Sequence, residues 1–130
     1  MEKKNIDWSS IGFAYMPTDY RYVSNFKDGK WDEGTLSTDP NIVLNECAGV
    51  LQYSQSVFEG LKAYTTEDGH IVTFRPDLNA ERLAASAARL EMPVFPKERF
   101  IDAVEQVVKA NAAWVPPYGS GATLYLRPYM

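Results

Sequence analysis

Apolar positions along this chain recur with two different periods, and each change of period marks an element. Along "ATLYLRP", Ala122, Leu124 and Leu126 alternate with Thr123, Tyr125 and Arg127, the two-residue period of a strand. "YRYVSNF" (20–26) is β-prone, and the Asp28-Gly29 pair after it suits a tight hairpin turn. "LKAYTT", "EDGH" and "IVTFRP" predict a second hairpin. There Asp68-Gly69 would supply positive φ angles and Ile71, Val72 and Phe74 the return strand. The period then lengthens. "LNAERLAASAARLEM" puts Leu83, Ala87 and Leu90 on one helical face, with Asp77 or Asn79 as its cap. "KERFIDAVEQVVKANAAW" repeats Phe100, Ile101, Val104, Val107 and Val108 as a helical stripe, opened by Pro96 and closed by Pro116-Pro117. Gly119 and Gly121 bracket a turn into the last strand. Strands, two helices and a strand predict a two-layer α+β domain, a mainly antiparallel sheet packed against two helices.

Composition narrows the class without naming a reaction. The 130 residues carry no internal repeat or linker, so they read as one domain. A net charge of -4 with no basic run leaves nucleic acid no electrostatic footprint. No apolar stretch approaches the roughly 20 residues of a membrane span, so no membrane partner is expected. "MEKKNIDWSS" lacks the apolar core of a signal peptide, and the single Cys47 fits a reducing cytoplasm. One cysteine and one histidine are too few for a protein-built zinc site, and no metal is expected.

A few residues hold candidate chemistry. Arg82 comes early in its helix, where a cation opposes the positive end of the dipole. It is either a surface arginine paired with Asp77 or Glu81, or a fork waiting for an anion. Thr123, Tyr125 and Arg127 share a face that is an ordinary solvent face or one wall of a pocket. In "QYSQSVFEGLKAY" (52–64), Tyr53 and Phe58 read as packing aromatics, and Gly60 lets the backbone turn or approach a ligand closely. Lys62 reads as solvent-facing, Arg89 as solvated or ion-paired, and His70 as a solvated turn residue. No serine–histidine pair, paired-acid signature or glycine-rich phosphate loop is present.

Four stretches together, "GFAYMPTDY", "YSQSVFEGLKAY", "FRPDLNAERLAASAARLEMP" and "WVPPYGSGATLYLRPYM", closely resemble the N-terminal small domain of branched-chain amino acid aminotransferases. These are pyridoxal-phosphate enzymes of fold type IV. The resemblance implies amino-group transfer between leucine, isoleucine or valine and 2-oxoglutarate, in a homodimer. It implies that Arg82 binds the cofactor phosphate, that Phe13, Phe58 and Tyr125 wall the side-chain pocket, and that Arg127 meets the second carboxylate of glutamate. It also implies that Tyr53 reaches the neighbouring subunit's site. The lysine that holds the cofactor lies in the family's second, larger domain, and none of the seven lysines here matches it. Residues 1–130 therefore read as the small domain of a two-domain enzyme, with no catalytic residue in this chain and no activity by itself. The other readings are a stand-alone, non-catalytic α+β binding domain, and a related fold-type IV enzyme. The latter would be a D-amino acid aminotransferase or aminodeoxychorismate lyase, which share the fold but usually lack the FEG-L-K and L-Y-x-R-P combination.

Overall fold

A computed structural model describes residues 2–130. The chain opens with an irregular segment and then forms strands β1 (Arg21–Val23), β2 (Phe26–Lys27), β3 (Lys30–Trp31) and β4 (Thr35–Ser37). β1 pairs antiparallel with β4, and β2 with β3. Asp28 and Gly29 both take positive φ (51° and 79°), so the predicted turn forms as the dipeptide suggests. The short helix α1 (Gly49–Tyr53) buries none of its residues. The central sheet runs β6 (Ile71–Thr73), β5 (Leu61–Thr65), β7 (Leu124–Leu126), all antiparallel. Helices α2 (Pro76–Arg89) and α3 (Lys97–Ala110) complete the α+β domain, and a 3₁₀ turn (Ala112–Trp114) follows them.

Strand alternation sends alternate residues from 57 to 63 inward. Val57, Leu61 and Ala63 join Leu126, Ala80, Leu83, Ala87, Phe100, Val104, Val108 and Val115 in one buried cluster. The same alternation turns Phe58, Lys62 and Tyr64 to the opposite, open face, where all three are exposed. Asn111, buried at the end of α3, donates through its amide to the carbonyls of Val107 and Tyr20 and accepts from the Tyr20 amide. One polar side chain thereby ties the entry to β1 onto the helix end. At the hairpin tip, Trp31 donates to the Val94 carbonyl at 2.9 Å and meets Phe26 and Phe95 edge-on.

Five details depart from expectation, each for a local reason. α2 begins at Pro76, whose fixed φ suits the first helical position, so Asp77 and Asn79 lie inside the helix and neither caps it. Arg75, left-handed at φ 46°, precedes the helix and pairs with Asp77 at 2.7 Å. In the second hairpin only Gly69 has positive φ, because Thr66 and His70 close a longer loop with the glycine at its left-handed position. Leu90 is exposed, since the helix ends at Arg89 and the chain turns away. The last strand is regular only over three residues. Pro128 has no amide to donate, yet pairing resumes beyond it through the Phe58–Tyr129 bridge and reciprocal Val57–Met130 bonds. Phe58 and Tyr53 are not packing aromatics: they are 62% and 84% exposed.

Candidate active site

The open face of the sheet gathers four of the predicted site residues. Tyr125 lies opposite Lys62 in the β5–β7 register, and its ring meets Phe13 with centroids 5.5 Å apart. The Arg127 guanidinium lies 4.6 Å from the Phe58 ring centroid and 5.1 Å from that of Tyr125. Arg127 Nε donates to the Tyr125 hydroxyl at 3.0 Å, which leaves that hydroxyl's own proton free to donate elsewhere. The two Nη groups of Arg127 have no partner among the described residues. The result is an aromatic wall with a guanidinium folded across it. Such a surface accepts an aliphatic side chain, and it can turn charged donors toward a carboxylate.

Gly60 makes this wall possible. A Cβ at that position would overlap the Tyr125 hydroxyl and press on its ring, so any larger residue here would push Tyr125 aside. Its φ is not in the left-handed region. Gly60, Tyr64, Phe74, Asn79 and Tyr125 border a recess of about 270 Å³ beside the wall.

Arg82 is the seventh residue of α2, because the helix starts at Pro76, and so lies beyond the first turn where it was expected; its partner is neither Asp77 nor Glu81. Its Nε and one Nη bond the two oxygens of Glu59 at 2.6 and 2.8 Å. Glu59 is 2% exposed, whereas the Arg82 side chain is 68% exposed. Asn79, one turn earlier on α2, donates to the same carboxylate at 2.8 Å and to the Gly60 carbonyl at 3.2 Å. The Arg82 hydrogen bonds hold the Glu59 carboxyl below its usual range, outweighing burial, which pushes it up; the carboxylate raises Arg82 in turn. The side-on pairing consumes two of the five guanidinium N–H groups. The other Nη has no partner among the described residues, and this exposed donor set fits a phosphate.

Tyr53 stands apart from the wall, exposed at the end of α1. Lys62 and Arg89 are exposed, as predicted, and His70 lies exposed beside Asp68. The role of Glu59 was not foreseen. Its signal lay in the strand period: Val57, Glu59, Leu61 and Ala63 share the inward face, so an acidic residue among them needs a partner.

In sequence, the chain is similar to aminotransferases of bacteria and plants. It is 54% identical over 98% of its length to the branched-chain-amino-acid aminotransferase of Haemophilus influenzae, and 46% identical over 98% to that of Helicobacter pylori. It is 47% identical over 97% to a methionine aminotransferase of Arabidopsis thaliana. The chain spans little more than a third of these relatives, 37%, 37% and 36% of their respective lengths. No protein-family model matches it.

Proposed function

We propose that this chain is the small domain of a two-domain branched-chain amino acid aminotransferase. It would move amino groups between leucine, isoleucine or valine and 2-oxoglutarate with pyridoxal phosphate. The observation that carries the reading is the convergence of Phe13, Phe58, Tyr125 and Arg127 on one exposed face. The identity with branched-chain enzymes across almost the whole chain supports it.

Pyridoxal phosphate, when bound, supplies the electron sink that stabilises charge at the substrate α-carbon. This chain supplies binding and selection. Arg82 neutralises the phosphate. Phe13, Phe58 and Tyr125 exclude water from the branched side chain. With a hydrocarbon substrate, Arg127 stays stacked on the aromatic rings; with glutamate, its free donors meet the second carboxylate. Accepting both substrates is what transfer to 2-oxoglutarate requires. The lysine that holds the cofactor belongs to a second domain, and Tyr53 serves the site of a neighbouring subunit in a homodimer. The free, exposed Cys47 fits operation in a reducing cytoplasm. The methionine enzyme among the relatives favours one variation, an unbranched thioether side chain in the same apolar space.

The test is Arg127→Ala in the complete enzyme. Its KM for glutamate should rise about tenfold, the worth of a charge-assisted contact, while that for leucine changes little. Equal losses for both substrates would remove Arg127 from carboxylate selection.

A further inference from the structure

Glu59 is bonded in a way that simple neutralisation of Arg82 does not require. Its two oxygens receive four hydrogen bonds: Arg82 Nε at 2.6 Å, an Arg82 Nη at 2.8 Å, Asn79 at 2.8 Å and the Gly60 amide at 3.3 Å. Its own amide donates to the Pro128 carbonyl at 2.8 Å. Glu59 is thus buried, its carboxylate tied to α2 and to the Gly60 amide just before β5, and its own amide tied to the final segment. Arg82 is mostly exposed, and apart from Glu59 it has no hydrogen-bond partner among the described residues. A long, exposed arginine ordinarily samples many rotamers, and binding an anion then costs that freedom. Here the guanidinium is gripped along its Nε edge, leaving the Nη end as the open fork.

We infer that Glu59 is a positioning residue: held by Asn79 and the Gly60 amide, it clamps Arg82 so that the open end of the guanidinium faces the phosphate. This role rests on the phosphate reading of Arg82. The clamp also couples the two halves of the site. Glu59 and Gly60 are consecutive, so the segment that orients the phosphate arginine also makes room for Tyr125.

The experiment compares dissociation constants of pyridoxal phosphate and of pyridoxal, which lacks the phosphate. It uses the complete enzyme and its Glu59→Gln, Arg82→Ala, Asn79→Ala and Glu59→Gln/Arg82→Ala variants, with the ³¹P shift of bound cofactor as a second readout. Glu59→Gln should weaken pyridoxal phosphate about tenfold, shift the ³¹P signal and leave pyridoxal within about twofold. Once Arg82 is alanine, Glu59→Gln should add no further phosphate-dependent loss. Equal weakening of both ligands by Glu59→Gln, or a full additional loss in the double variant, overturns the positioning role. Should Glu59→Gln fail to fold, Asn79→Ala decides: a smaller, phosphate-selective loss supports the clamp, and an unselective one overturns it. If Arg82→Ala shows no phosphate-selective loss, the phosphate reading itself falls, and the clamp with it. If Arg82→Ala shows that loss and Glu59→Gln does not, only the clamp falls.

Discussion

At Gly60 the place of the Tyr125 ring depends on a missing atom. A methyl group there would collide with the Tyr125 hydroxyl, which in turn accepts from Arg127. Gly60→Ala should therefore displace the wall and lower kcat/KM for leucine by about 10- to 100-fold, with the circular dichroism spectrum unchanged. Steady-state kinetics of the complete enzyme would check it. Glu59 adds a pH dependence. Its folded pKa lies below the ordinary 4.5, and Asp32 and Asp77 are held at about 2 against an ordinary 3.8. The Asn25 side chain is the main cause at Asp32, and the Arg75 guanidinium at Asp77. Each depressed carboxyl contributes stability above its unfolded pKa that disappears as pH falls through the folded value. Denaturation midpoints should hold from neutral pH to about 5, then drop between about 4.5 and 2. In Glu59→Gln the upper part of that drop should shrink. At this scale the sequence disclosed residue types but not partners. Arg82 read as early in its helix, but α2 starts at Pro76 and Arg82 is its seventh residue, clear of the first turn; its acid lies 23 positions away, two residues before β5.

Elements were more legible, because period and punctuation are local. The stripe of α3 is real: Phe100, Val104 and Val108 are buried as their spacing predicts. Phe100→Ala should cost about 3–5 kcal/mol in chemical denaturation, since it opens a cavity under both helices. Disrupting the exposed Glu105–Lys109 pair on the same helix should cost under about 0.5 kcal/mol. Element ends were harder to read. Asp77 and Asn79 both suit a cap, and the start was decided by Pro76, whose ring already fixes a helical φ. The last strand kept its alternation but lost its regularity at Pro128. Neither the 3₁₀ turn after α3 nor the Asn111 tether has a period to read.

Across the whole molecule, the two faces of the central sheet differ in kind. One is covered by α2 and α3; the other leaves Phe58, Tyr64, Val72 and Tyr129 exposed. The α+β class followed from element order alone. The meaning of the open face did not, because composition and periodicity fit a solvent face as well as a pocket wall. If the cofactor lysine belongs to a second domain, as proposed, added pyridoxal phosphate should give residues 1–130 no lysine-dependent absorption band, and such a band would overturn that assignment. The most direct measurement is amino transfer by the complete protein supplied with pyridoxal phosphate, using 2-oxoglutarate as acceptor. Turnover with leucine, isoleucine and valine is the predicted result. Activity confined to D-alanine, or no transfer from any branched-chain amino acid, would contradict it.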